Sequence, residues 1–306
     1  MGALMFLLVI PFLFVFSFAQ PPRAQTPVVL KTADILSGAK ASDWRKLEDE
    51  NLLYFDFGKG LVVIELAPDF APEHVKNIKK LINEKYWDGL AIVRVQDNYV
   101  VQWGDPHAEK TELKKKIKSA KETLKPEFDR AYSEKLSFTP LPDADTYAKE
   151  VGFTKGFPVA RDKALQKMWL THCYGMVGVG RNNPADSGGG AELYVVIGHA
   201  PRHLDRNVTL VGRVVLGMEL LSSLPRGTGS MGFYEKPEER VAIKSIKLGS
   251  QVLKKDRVEL ETLKTDSLAF KSLIAARRDR KEEWFHHSAG RLEICNMPLP
   301  VRRPSD

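Results

Sequence analysis

Short apolar runs separated by turn residues fill the chain between Leu52 and Leu248, and that pattern restricts it to sheets of many short strands. LLYFDF, from Leu52, turns at Gly58-Lys59-Gly60 and resumes as LVVIELA, which reads as a hairpin. A single amphipathic helix follows between Pro68 and Glu84. Val75, Ile78, Leu81 and Ile82 recur there at helical spacing, and Pro72 stands in an early turn where its missing N–H costs nothing. Strands return at LAIVRV and YVVQW, separated by Gln96-Asp97-Asn98. Further runs follow at YGMVGVG, ELYVVIG, VTLVGRVV and VAIKSIKL. With one early helix and no regular alternation of strand and helix, the expected fold is mainly β, a closed antiparallel barrel rather than a doubly wound sheet.

Two stretches depart from this pattern. Between Asp105 and Glu150 Lys and Glu dominate, which predicts a charged helical insertion broken by Pro126, Pro140 and Pro142. Its run EKTELKKKIKSAKETLKPE reads as a solvated face rather than a docking surface for an acidic partner or membrane headgroups. After Gly249, Leu260, Leu263, Leu268, Phe270, Leu273 and Ile274 are the apolar positions of an expected helical extension that ends in a Pro-rich, basic tail. There is no internal repeat.

The formal net charge of +7 is dispersed along the chain, which argues against a nucleic-acid groove. MGALMFLLVIPFLFVFSFAQ is an uncharged apolar run followed by Pro21, Pro22 and Arg23. It reads as a signal peptide over residues 1–24, with cleavage after Ala19 or Ala24, and it predicts an exported protein, periplasmic or secreted. No stable membrane span is expected once the signal is removed, because Pro11 interrupts the run and a span needs about 20 apolar residues. In an exported protein Cys173 and Cys295 could pair, or both could be buried free thiols, and the sequence leaves the choice open. The seven histidines show no ligand spacing, so no metal and no cofactor are expected. Gly227, Gly229 and Gly232 spell G-x-G-x-x-G without the preceding strand or following helix of a dinucleotide site, and read as a flexible loop.

Two long segments carry a more specific signal. VVIELAPDFAPEHVKNIKKLINEKYWDGLAIVRVQDNYVVQWGDP and YGMVGVGRNNPADSGGGAELYVVIGHAPRHLDRNVTLVGRVVLGMELL resemble, in order, the two halves of a bacterial, exported cyclophilin-type peptidyl-prolyl cis-trans isomerase. The resemblance covers roughly Leu53 to Leu248 and implies an eight-stranded closed barrel capped by helices. The chain then divides into a signal peptide (1–24), a cyclophilin-like domain (25–249, with the insertion at 105–150) and a C-terminal extension (250–306). By the same resemblance Arg94 matches the catalytic arginine and Gln102 a residue that binds substrate backbone. Tyr99 and Val100 match the floor of the proline slot, and Gly180, Arg181 and Asn182 match the segment that pairs with the substrate main chain. Leu204 matches a wall residue, while Glu192 and Tyr194 replace a Gln and a Phe of the slot. His203 stands where many members carry Trp, Val208 where many carry His, and NNPADSGGGAE is two residues longer than the family loop. A cyclosporin-like ligand that leans on the indole is therefore expected to bind weakly. Glu192 is expected to hold Arg94 in an ion pair. The function implied is isomerisation of X-Pro bonds in exported proteins by a monomer whose partners are proline-containing polypeptides. A proline-peptide-binding chaperone without useful turnover is the alternative.

Overall fold

Residues 31–304 are described by the structure, a computed structural model, and the expected signal peptide lies outside the described residues. The chain opens with helix α1 (Thr32–Ser37), strand β1 (Trp44–Lys46) and the hairpin of β2 (Leu52–Asp56) and β3 (Leu61–Leu66). Asp56 stabilises the hairpin turn by accepting the Gly58 N–H at 2.7 Å, and Gly58 and Gly60 adopt φ values of 83° and 138° that glycine tolerates. Helix α2 (Pro72–Asn83) comes next, then β4 (Ala91–Val95) and β5 (Val100–Gly104). Val75, Ile78, Leu81 and Ile82 of α2 are buried in one cluster with Phe55, Trp103, Val177 and Val211 of the sheet.

The expected helix over 105–150 does not form. No α-helix lies within this segment, which carries only β6 (Arg130–Ala131), β7 (Thr139–Leu141) and the first residue of β8 (Glu150–Thr154). Its N–H groups are satisfied by side chains of the folded body instead of by a helical ladder. Asp105 accepts from His107 and Lys115 at 2.8 and 2.6 Å, Glu84 from Lys118 and Ser119 at 3.1 and 2.8 Å, and Asn77 from Lys121 at 2.8 Å. Of the Lys-rich run, Ile117 and Ala120 pack on the core cluster, too few to build an apolar helix face.

A second sheet that the sequence reading did not foresee follows, from β8, β9 (Phe157–Asp162) and β10 (Lys167–Leu170), in the order β6-β10-β9-β8-β7. Lys155 and Gly156, at φ 48° and 83°, make the tight turn between β8 and β9. The chain then returns through β11 (Met176–Val179), β12 (Leu193–Val196), β13 (Leu210–Leu216), helix α3 (Met218–Ser222), β14 (Val241–Ala242) and β15 (Ser245–Leu248).

The main sheet has nine strands, in the order β14-β4-β5-β12-β11-β13-β3-β2-β15, and curls into a half-barrel rather than the closed eight-stranded ring expected. Its two edges are successive pieces of residues 241–248. Ile243 still bonds toward β4, donating to Leu90 O at 2.8 Å, while Lys244 donates to Asp56 O of β2 at 2.9 Å. One segment thus changes partner midway, and no ladder runs between β14 and β15.

The extension after Gly249 is only partly helical. Helix α4 (Leu268–Arg278) forms, but Leu263 lies in β16 (Glu261–Leu263), which pairs with β1 and β17 (Val301–Arg302). The Ser267 hydroxyl caps α4 by accepting the Phe270 N–H at 3.1 Å, and Phe270 meets Phe153 of the second sheet edge-on at 5.1 Å. Leu260 packs with Leu47 against Leu52, Tyr54 and Val63 on the outer face of β2 and β3. Cys173 and Cys295 are bonded, closing a sequence separation of 122 and tying the C-terminal segment to the entry of β11. Among the described residues no helix is long and apolar enough to cross a membrane.

Candidate active site

The site is built on the β4–β5 hairpin. A bulge between Ile92 and Arg94 shifts the register so that Arg94 sits opposite Gln102. The guanidinium donates from Nη1 to Gln102 Oε1 at 3.1 Å, from Nη2 to Gln96 Oε1, and from Nε to Met231 O at 2.7 Å. Its Cζ lies 5.5 Å from the Tyr99 ring and 5.3 Å from the Phe233 ring, within cation–π range of both.

Met231 and Phe233 come from the glycine-rich turn. It is not a loose loop. Gly232 has φ 78°, and a Cβ there would stand 2.5 Å from Gln96 Cα, so the turn presses against the hairpin backbone as only glycine allows. Gln96 was read from sequence only as a turn residue, and Met231 and Phe233 were not singled out, because their turn meets Arg94 across more than a hundred residues of chain.

Behind Arg94 stands Gln102, whose Nε2 donates to Glu192 Oε2 at 3.1 Å. The expected ion pair between Glu192 and Arg94 does not form, because Gln102 occupies the space between them. Burial pushes the Glu192 carboxyl up from its ordinary value, against the pull of the Gln102 hydrogen bond. Gly104 and Gly180 make room for this side chain, since a Cβ at either would lie 2.6 or 2.9 Å from Glu192 atoms.

The floor is apolar. Val100, Tyr194 and Val196 form a buried cluster, with Tyr99 and Val208 packed against it. Tyr194 lies over Gly178, where a Cβ would come within 2.3 Å of its ring. Its hydroxyl is 2.9 Å from His172 Nε2, and His172 Nδ1 is 2.9 Å from Asp205 Oδ1. A carboxylate only accepts, so Nδ1 carries the proton and the Tyr194 O–H donates to Nε2. Burial lowers the His172 pKa and keeps the ring neutral, which this arrangement requires. Asp205 Oδ2 accepts from Arg202 Nε at 2.6 Å, and Arg202 makes a two-pronged pair with Asp145 of the insertion at 3.0 Å on each prong. His172 shows no ligand spacing in the sequence, and its contacts with Tyr194 and Asp205 span 22 and 33 residues of chain.

Arg94, Tyr99, Val100, Gln102, Gly180, Arg181, Asn182, Tyr194, Leu204 and Val208 line one open cavity of about 280 Å³, together with Val179 and Asn183. Glu192 is a partner of that wall and does not line it. His203 is exposed and lines a separate cavity of about 620 Å³ with Asp145, Tyr147 and Arg206. The turn Arg202–Leu204 sends Arg202 inward to the two aspartates and Leu204 to the groove, which leaves His203 on the outer side.

Residues 52–248 match the family model described as cyclophilin type peptidyl-prolyl cis-trans isomerase/CLD. A probable peptidyl-prolyl cis-trans isomerase of Brucella suis biovar 1 is 35% identical over 89 residues, 29% of this chain and 43% of that protein. Peptidyl-prolyl cis-trans isomerase B of Bacillus subtilis is 43% identical over 61 residues, 20% of this chain and 36% of that protein. The chain thus spans less than half the length of these curated relatives. The crystal structure of cyclophilin AquaCyp293 from Hirschia baltica superposes with a TM-score of 0.69 at 25% identity, over 91% of this chain and all of that one. That likeness extends well beyond the residues matched by the family model.

Proposed function

This chain belongs to the cyclophilin-type peptidyl-prolyl cis-trans isomerase family, and on that premise we propose that its groove catalyses rotation about X-Pro bonds in other polypeptides. The observation that carries the reading is a guanidinium held at the edge of an apolar slot by neutral acceptors alone. Peptide rotation faces a barrier of about 18–20 kcal/mol because resonance shares the nitrogen lone pair with the carbonyl. An N–H aimed at the prolyl nitrogen localises that pair as the bond twists, so it binds the transition state better than either planar isomer. Arginine has about five N–H donors. Arg94 spends one at each of Met231, Gln102 and Gln96, which leaves donors for substrate. The apolar floor of Val100 and Tyr194, walled by Leu204, would hold the pyrrolidine, and Gln102, itself oriented by Glu192, would take the substrate backbone.

The substrates in this reading are exported proteins whose folding waits on X-Pro isomerisation, a step of about tens to hundreds of seconds unaided. The apolar amino-terminal run and the Cys173–Cys295 bond support it, since such bonds persist in oxidising compartments. A prolyl-peptide assay on the full chain and on Arg94→Ala tests the catalytic claim. Loss of about 10²-fold or more in kcat/KM is expected for the variant, as for removal of a transition-state donor. Equal rates would remove the claim.

A further inference from the structure

Arg181 stands on the groove wall between Gly180 and Asn182, and its guanidinium is held from Nε and Nη1 by neutral carbonyls, with Nη2 left free. Nε donates to Asn207 O at 2.9 Å, and Nη1 donates to Asn182 O and Asn183 O at 2.7 and 3.2 Å. Its Cζ lies 5.6 Å from the ring of Phe128, a residue of the charged insertion. These contacts orient the fork but leave its charge uncompensated. Among the described residues no carboxylate lies within ion-pair distance of Arg181 or of Arg94; the ion pairs of the neighbouring Arg202 and Arg206 go to Asp145, Asp205, Glu293 and Asp129. Glu192, the acid closest in the hydrogen-bond chain, sits behind Gln102 and outside the cavity, and burial favours its protonated form. The cavity wall therefore carries two arginines and no acidic side chain. The charge reaches the slot floor, where Arg181 opposes the rise that burial imposes on the Tyr194 hydroxyl.

From this distribution we infer that Arg181 is a specificity-determining residue, and that the groove favours polypeptides carrying an Asp or Glu side chain within about two residues of the proline. The inference rests on the reading of the groove as a proline-peptide site and adds the chemistry of the flanking residues. A carboxylate oxygen can accept from the free Nη2 of this pre-oriented guanidinium and meets its uncompensated charge, whereas a Gln side chain in the same place gains the hydrogen bond without the charge.

The test is a set of peptides on one framework, with Glu or Gln at each of the two positions on either side of the proline. Dissociation constants are measured for the full chain, Arg181→Gln and Arg181→Lys. At one or more positions Glu should bind about threefold or more tighter than Gln, the size of a partly exposed ion pair. The ratio within each protein is the readout, so a general loss of affinity cancels. It should fall to about one in Arg181→Gln and persist in Arg181→Lys. Arg181→Gln also releases three carbonyls, so the wild-type chain supplies a second arm. Raising ionic strength from about 0.01 M to about 1 M shortens the screening length from about 30 to about 3 Å and should erase the Glu preference. Equal binding of Glu and Gln peptides at every position, or a preference that survives in Arg181→Gln or in high salt, overturns the inference. Turnover is measured on the same peptides against Arg94→Ala. A Glu preference in binding with no difference in turnover would remove the isomerase reading and leave this one standing.

Discussion

Tyr194 carries a hydroxyl into a floor position where the family residue it matches is Phe, and His172 Nε2 accepts the hydrogen bond it donates. The pair is buried, so removing the imidazole leaves the Tyr194 O–H and Asp205 short of a partner at a cost of about 1–3 kcal/mol. His172→Ala should therefore lower the urea midpoint of the full chain at neutral pH. The pH dependence follows from the depressed folded-state pKa of His172. The unfolded chain, with an imidazole near 6.5, binds a proton before the folded chain does, so stability falls as pH drops below that value and is fully present above it. Between pH 7 and about 5 the wild-type chain should lose more stability than His172→Ala. Parallel pH profiles would show that the ring does not titrate with unfolding. At the same scale, a cyclosporin-like ligand that needs an indole should bind weakly. His203 is turned away from the groove, and nothing aromatic replaces it at that wall beyond Tyr99 and Tyr194. Nanomolar inhibition of the proposed activity would contradict this.

The insertion acts as an element although it has no helix. Its Glu127 takes the place of an N-cap on α2, accepting the backbone N–H of Glu73 and His74 at 3.1 and 2.9 Å and the His74 ring at 2.7 Å. Burial raises the Glu127 pKa, but the hydrogen bonds from His74 and the two amides outweigh it and hold the carboxyl below its ordinary value. Its contribution is thus present above the unfolded carboxyl range and lost as pH falls through the folded pKa. Glu127→Gln should cost about 1–2 kcal/mol at pH 7 and less in acid, read from denaturant midpoints at both. An unchanged midpoint at pH 7 would mean that solvent caps α2 equally well. The positions of α2, β2 to β5 and β11 to β13 were legible because each shows its own turn residues and periodicity. The insertion misled because its Lys and Glu content suits a helix in isolation, while Glu84, Asn77 and Asp105, all outside it or at its start, offer its backbone a different set of partners. Strands β8 to β10 lacked a recognised hairpin signal, since Lys155-Gly156 is an uncommon pair for that turn.

For the whole molecule, the C-terminal segment decides what the main sheet can expose. Leu52, Tyr54 and Val63 face outward from the half-barrel yet are buried, because Leu260 and Leu47 cover them. A chain ending at Gly249 should expose this apolar face, and loss of soluble material relative to the full chain is the expected result on expression. A soluble, monodisperse truncation would show that the sheet does not need its cover. The Cys173–Cys295 bond closes a long covalent loop; the chain-entropy model puts the stabilisation from a loop of that order at about 5 kcal/mol, and disulfides typically deliver about 2–4. Denaturation with and without reductant should separate by that amount, and coincident curves would argue against a constraint on the unfolded state.

Sequence alone determined the strand-rich core from Leu52 to Leu248, the capping helix, and the residues that could form a proline slot, because hydrophobic period, turn chemistry and ordered motifs are local properties. It took the folded chain to show that 105–150 forms no α-helix and meets α2 through Lys121 and Glu127, that residues 241–248 serve both sheet edges, that Gln102 separates Glu192 from Arg94, and that Cys173 reaches Cys295. Each of these depends on which distant side chain or carbonyl is nearest once the chain has collapsed, and a backbone or charged group takes the partner that packing brings to it, whatever its neighbours in sequence prefer.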